Sequence, residues 1–247
     1  MNFSKIPEIS VVILCYRAGD YAKVFYKEVI DVLQKAGLDY ELVLVGNFRP
    51  NTDDNTPDVL RKIKNDDYHV KTVIKEKKNS KQAMSWDMRS GLKAADGKTI
   101  AIIDGDGQMP PQDIPRLYKK LIDDNLDICK GKRVSRQDGL YRKFVSKTYN
   151  TIMKILFPGI AGGDINGKPK IITRKTYNSL LLESNDWFID AEIMIKAKEL
   201  GLKVGEVDVE FRENKERKSF ISFNANFEFI KNIIIWKLRK SRTQYKK

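Results

Sequence analysis

Apolar runs rich in β-branched residues recur along the first half of the chain, and this recurrence constrains the fold more than any other feature. Residues 9–15, 40–45, 69–74, 99–103 and 126–129 each have the length and composition of a buried strand. Helix-like segments at 21–35, 57–64 and 82–95 separate the first four, the last stopped by Ala95-Asp96-Gly97. Strand–helix alternation builds βαβ units, so the expected class is α/β with a mostly parallel central sheet flanked by helices. Past Gly131 the rhythm changes. Residues 139–157 read as helix, 168–173 as strand, 190–200 as a helix closed by Gly201, 204–211 as extended, and 223–239 as a final amphipathic helix. With no repeat or low-complexity linker, the expectation is one domain over residues 1–220, then a basic helix and tail over 221–247.

The chemistry concentrates where the fourth strand breaks. Thr99-Ile100-Ala101-Ile102-Ile103 runs directly into Asp104-Gly105-Asp106-Gly107-Gln108. Two carboxylates one residue apart can reach a single divalent cation, directly or through water. Mg²⁺ or Mn²⁺ prefers such oxygen ligands and keeps positions open for phosphates. Open α/β sheets bind ligands at the carboxyl ends of their strands, where this pair lies. The competing reading is an Asp/Gly turn between strand and helix. An EF-hand is excluded, because Met109 stands where that loop needs Gly and Pro115 where it needs Glu.

Charge points to an anionic partner. Lys and Arg number 46 against 33 Asp and Glu, a net charge of +13. Seven basic residues and no acidic one fall between Lys231 and Lys247, and seven more between Lys130 and Lys147 against Asp138 alone. Nucleic acid, an anionic membrane and phosphorylated small molecules are the candidate classes. A nucleic-acid module rests on charge alone, without a recognisable motif or aromatics among the basic residues, so no nucleic-acid partner is expected. Cys15 and Cys129 lie in apolar runs, and two cysteines make no disulfide framework, which fits a reducing cytoplasm. The N-terminus lacks a signal-peptide layout, and no apolar stretch approaches the ~20 residues that span a bilayer. The expected location is the cytoplasm, or its membrane face as a peripheral protein.

With Pro110-Pro111-Gln112 after the acidic pair, then a helix, a strand and Gly131-Lys132-Arg133, the chain resembles the family 2 glycosyltransferases, especially the dolichyl- or polyprenyl-phosphate sugar transferases. Their pattern is a strand ending in D-x-D-x-Q-x-P-P-E, then a helix and G-x-R. The likeness runs from Val11 to about Ser219, with 79–97 resembling the helix before the metal strand. It implies a GT-A-like fold and an inverting, metal-dependent transfer of sugar from a nucleoside diphosphate to a polyprenyl phosphate. Asp104 would face the nucleotide, Asp106 would bind Mg²⁺ or Mn²⁺, and Gln108 would be a weaker ligand. The metal would neutralise the departing diphosphate.

By the same resemblance Arg133, Arg142 and Ser146 surround the acceptor phosphate, with Arg136 assisting. Arg142 and Ser146 are four apart, on one face of a helix, and guanidinium forks suit phosphate oxygens. A solvated basic helix is the plain alternative. A phosphomonoester has its second pKa near about 6, so at neutral pH it is already a nucleophile. A saccharide hydroxyl, the rival acceptor, needs a general base. Asp190 and Glu192 occupy the position where the family often carries an acidic residue, and Asp164 lies in a glycine-rich loop. Each is a candidate base or a structural carboxylate.

Departures cluster at the nucleoside end. The family's second strand ends in an acidic D-D-G-S-type loop; here it ends Gly46-Asn47-Phe48, with Asp53 and Asp54 following later. Either Asn47 or Asp53/Asp54 would then contact the donor. Tyr16 matches the aromatic of the first strand's end. Arg217-Lys218-Ser219 resembles a G-x-S that would close on the diphosphate, and Arg212 is another candidate. In the last helix Phe223, Phe227, Ile230, Ile234 and Leu238 recur at spacings of three and four, near Trp236. That stripe either packs on the domain or lies on an anionic leaflet.

Overall fold

A computed structural model describes residues 6–136, 140–212 and 231–238, the side chains of 135, 136 and 140–143 excepted. The elements run β1 (Ile9–Leu14), α1 (Tyr21–Lys35), β2 (Tyr40–Val45), α2 (Thr56–Asp66), β3 (Val70–Val73), α3 (Met84–Ala94) and β4 (Thr99–Asp104). There follow α4 (Asp113–Asp123), β5 (Ile128–Arg136), α5 (Leu140–Leu156), β6 (Lys170–Thr173), α6 (Arg174–Leu180), α7 (Ile189–Glu199) and β7 (Val204–Phe211). Residues 231–238 are helical.

The seven strands form one sheet in the order β3-β2-β1-β4-β6-β5-β7. β1, β2, β3 and β4 are parallel to their neighbours in that group, as β5 is to β7, while β6 runs against both β4 and β5. β1 and β2 are buried along their whole length, because helices cover both faces; their residues are apolar except Ser10 and Glu41, which bond each other at 2.5 Å. Alternation sorts them: Ile9, Val11 and Ile13 join the core under α1, α2 and α4, while Val12 and Leu14 join the one under α3 and α7. On α1, Phe25, Val29 and Leu33 recur every four residues and face the first core. Each such side chain, when fully buried, contributes roughly 1.5–3 kcal/mol. α3 lies close on the sheet because Gly91 has no side chain; a Cβ there would stand 2.5 Å from Val12.

The chain leaves β1 for β2 on one side, and β4 takes the other side of β1. A crevice therefore opens at the carboxyl ends of β1 and β4, the switch point where α/β sheets take ligands. Leu14 and Asp104 sit side by side at that edge, and Gly105 N–H donates to Leu14 O at 3.0 Å.

Three elements depart from the sequence expectation. β5 continues to Arg136 because β7 pairs with it from Ile128↔Val204 to Arg136↔Phe211, a non-local partnership that carries the polar stretch after Cys129. α6 was not foreseen; Thr173 caps it, its hydroxyl oxygen accepting from Thr176 N–H at 3.1 Å. In the 231–238 helix, Ile233 is buried and Trp236 packs on Phe188, so Ile234 and Leu238 remain exposed. Phe223, Phe227 and Ile230 lie outside the described residues.

Candidate active site

The loop after β4 is shaped by Gly107, whose φ of +73° lies in the left-handed region; a Cβ there would fall 2.1 Å from the Tyr21 hydroxyl. Asp106 Oδ1 accepts the backbone N–H of Gln108 at 3.0 Å, closing a turn. Gln108, expected as a weaker metal ligand, donates its side-chain amide to Arg212 O at 3.1 Å, and Arg212 N–H donates to Gln108 O at 2.8 Å. It clasps the loop to the end of β7. Arg212 thus meets the site through its backbone.

Asp104 faces a lysine absent from the sequence expectation. Lys168 Nζ lies 2.9 and 3.2 Å from the two Asp104 oxygens and 3.6 Å from Asp190 Oδ2, with 3% of its side chain exposed. Lys170 Nζ bonds the other Asp190 oxygen at 2.5 Å. Burial pushes the Asp190 carboxyl up, but Lys168 and Lys170 outweigh it and hold the group below the usual carboxylate range. Burial likewise disfavours the Lys168 ammonium, and Asp104 and Asp190 more than restore it.

Among the described residues no three His, Cys, Asp or Glu side chains converge on one point. The donor set at the crevice is the pair Asp104 and Asp106. Two hard carboxylates fit Mg²⁺ or Mn²⁺, which binds through one or two of them and fills its sphere with water and phosphate oxygens. Lys168 competes for the Asp104 half of that set.

Along the crevice from β1, Tyr16 has Lys77 Nζ 4.3 Å above its ring. Lys77 is buried and pairs with Asp87 at 2.5 Å. Asn47, expected to contact the donor, is buried and fully engaged: its amide donates to Asp87 Oδ1 at 2.9 Å and Ser90 Oγ at 3.0 Å, while its oxygen accepts Lys75 N–H at 2.9 Å. It ties the end of β2 to α3. Asp54 accepts Thr56 N–H at the start of α2. Asp53 is exposed and pairs with Arg17 at 3.2 Å. Of the expected nucleoside contacts, Tyr16 and Asp54 are half-buried and Asp53 is exposed, while Asn47 is buried.

On the far side, Arg133 and Ser146 line one cavity of about 360 Å³ with Lys132, Lys147, Asn150 and Lys154. The resemblance paired the first two, and the fold brings them together from β5 and α5. The Arg133 guanidinium holds Asp164 with two bonds, of 2.6 and 2.7 Å. Burial raises the Asp164 carboxyl, and Arg133 more than reverses this, leaving it low. Beneath, the fully buried Lys130 pairs with Glu206 at 2.5 Å and donates to Asp164 O at 2.6 Å. The side chains of Arg136 and Arg142, and the residues Arg217 and Lys218, lie outside the described set.

The three candidate bases are all engaged by other groups. Asp190 is locked between two lysines and Asp164 is forked by Arg133. Glu192 is fully buried, one oxygen accepting Glu183 N–H at 2.7 Å and Lys196 at 2.8 Å, the other Ser184 N–H at 2.9 Å. Each carboxylate already holds cationic or N–H partners. Lys77, Lys168, Lys170 and Asp87 were missed. Lys168 and Lys170 are two apart in a strand-like run and so share a face, but that spacing does not tell a buried face from a solvated one.

The family description "Glycosyl transferase family 2" matches residues 10–185. The undecaprenyl-phosphate 4-deoxy-4-formamido-L-arabinose transferase of Proteus mirabilis is 30% identical over 153 residues, covering 62% of this chain and 45% of that protein. The chain spans less than half the length of such curated relatives. Among solved structures, the mannosyl-3-phosphoglycerate synthase of Rubrobacter xylanophilus matches with TM-score 0.69 at 16% identity, over 96% of this chain and 75% of that one. The glucosyl-3-phosphoglycerate synthase of Mycobacterium tuberculosis, in complex with Mn²⁺, uridine-diphosphate-glucose and phosphoglyceric acid, matches with TM-score 0.67 at 16% identity, over 92% and 77%. The structural likenesses establish a shared fold. By the family match over residues 10–185, in keeping with an acidic pair at the sheet's switch point, this chain belongs to glycosyl transferase family 2.

Proposed function

We propose that this chain transfers a sugar from a nucleoside diphosphate to a polyprenyl phosphate, with inversion at the anomeric carbon and with Mg²⁺ or Mn²⁺ bound at Asp104 and Asp106. The observation that carries this reading is the state of Asp164, Asp190 and Glu192, all engaged by cations or backbone N–H groups. A hydroxyl acceptor needs a free base, whereas a phosphate dianion attacks unaided. A covalent sugar–enzyme intermediate would likewise need a free carboxylate, so a single displacement is favoured.

Bound at the acidic pair, the metal would supply charge neutralisation for the leaving diphosphate. The chain's own residues do the rest. Tyr16 and the Asp53 rim flank the nucleoside, with Arg217 and Lys218 assigned to the diphosphate. Arg133, Ser146 and the cavity lysines hold the acceptor phosphate, with Arg136 and Arg142 assigned to the same group. An acceptor phosphate oxygen forms the new bond to the anomeric carbon as the bond to the diphosphate breaks. Residues 1–220 would be the catalytic domain and 221–247 a basic membrane-facing helix and tail, with the protein peripheral on the cytoplasmic leaflet. No helix among the described residues is long and apolar enough to cross a membrane. The test is thermal stabilisation by a panel of sugar nucleotides with Mn²⁺. One or more should raise Tm, and Asp106→Asn should abolish the shift. No shift with any nucleotide overturns the donor assignment.

A further inference from the structure

α5 presents three different faces. At about 100° per residue, Tyr149, Met153 and Leu156 turn to the core, and Ser146, Lys147, Asn150 and Lys154 turn to the cavity assigned to the acceptor. The remaining face carries Phe144, Thr148, Ile152 and Ile155 within an arc of about 80°. These are not core residues: Phe144 and Ile155 are each 69% exposed, and Ile152 is 37% exposed. A large phenyl ring and two isoleucines in a row on the outside of a helix form a stripe, not scattered surface apolarity.

The surrounding charge specifies what covers it. α5 contains Arg142, Lys143, Lys147 and Lys154 and no acidic residue. The 231–238 helix adds Lys231 and Lys237, again without an acid, and leaves Ile234 52% and Leu238 60% exposed. The two helices meet where Lys237 Nζ donates to Leu156 O at 2.5 Å. Exposed apolar side chains on two helices whose charged residues are all cations match the interface of an anionic bilayer, which takes the apolar face and attracts the basic flanks.

We propose that α5 docks the protein on an anionic membrane through Phe144, Ile152 and Ile155, and that the acceptor phosphate enters the cavity from the adjoining face of the same helix. The proposal rests on the lipid-acceptor reading and gives it a geometry: a phosphate at the leaflet surface lies one helix face from Arg133 and Ser146.

The test is sedimentation of the whole chain with vesicles of phosphatidylcholine alone or mixed with phosphatidylglycerol, without acceptor. Binding is expected only to the anionic vesicles and should weaken with salt. Phe144→Ser with Ile155→Ser should lower partitioning about tenfold or more with Tm unchanged, since both residues are exposed. Transfer to a short-chain, water-soluble prenyl phosphate should be unaffected by the double substitution, while transfer to a long-chain acceptor in vesicles should fall with partitioning. Equal binding of the double variant, or binding indifferent to anionic lipid, overturns the docking assignment even if transfer is observed. A concentration-dependent dimer abolished by the double substitution also overturns it, making a second copy the occupant. Intact docking with no prenyl-phosphate turnover instead refutes the acceptor reading.

Discussion

Replacing Lys168 with Met isolates the buried charge network under the acidic pair. The ammonium lies 2.9 Å from Asp104 and 3.6 Å from Asp190. At an effective dielectric of about 20 each contact has a gross Coulomb energy of about 5 kcal/mol, offset by several kcal/mol for desolvating the lysine. Breaking a buried pair by removing one partner costs roughly 3–5 kcal/mol. Two features hold this case to the low end. Asp104 keeps 27% of its side chain exposed and is partly rehydrated, and Asp190 retains Lys170 at 2.5 Å. The expected loss is about 3 kcal/mol, or a fall in Tm of about 6–12 °C for a domain of this size. Urea denaturation should show it as a lower midpoint at unchanged slope. A cycle with Asp104→Asn should reveal coupling of at least about 1 kcal/mol. The substitution also frees both Asp104 oxygens and removes a competing cation, so nucleotide-free protein should bind Mn²⁺ more tightly. A Met variant as stable as the parent, with unchanged Mn²⁺ affinity, would refute the assignment of Lys168 as partner to Asp104.

Other substitutions separate folding from chemistry. Glu192→Ala removes the hydrogen bonds from the Glu183 and Ser184 N–H groups to a buried carboxylate, at about 1.5–3 kcal/mol for each bond to a charged group; chemical denaturation should register the loss, while kcat per folded molecule stays unchanged. A large fall in kcat at full stability would restore Glu192 as a base. Asp164 has its carboxyl held low by Arg133, so its stabilisation is full above the unfolded pKa of about 3.9 and disappears as pH falls through the lower folded value. Arg133→Gln should therefore shift the acid-unfolding midpoint upward and leave the pH 5–8 plateau flat, though lower. Burial pushes the Cys129 thiol up to about 11, and Cys15 is also buried. A thiol reagent at pH 8 should titrate neither cysteine in the native protein and both after unfolding.

The sheet was legible because its signal is local. β1, β2 and β4 are mostly apolar runs buried on both faces, and the Gly107 turn is written in the glycine itself. β5 was cut short because Lys130, Lys132, Arg133 and Arg136 read as solvated charge, yet Lys130 is wholly buried against Glu206, 76 residues away. The same distance in sequence hid Lys168, whose partner Asp104 lies 64 residues earlier. Charge pairing across a sheet leaves no periodic trace along the chain. The partners of Asn47 were hidden for a related reason. A polar residue at a strand's end reads as a ligand contact, and only the arrival of Asp87 and Ser90 from α3 shows where its hydrogen bonds go.

The identity of the acceptor as a phosphate underlies the proposed chemistry. It is tested most directly by giving the purified chain a stabilising sugar nucleotide, Mn²⁺, and either a polyprenyl phosphate or the matching dephosphorylated polyprenol, then identifying products by mass spectrometry. A glycosylated polyprenyl phosphate is expected from the first and no product from the second. Transfer to the alcohol or to an added saccharide, with none to the phosphate, would contradict it.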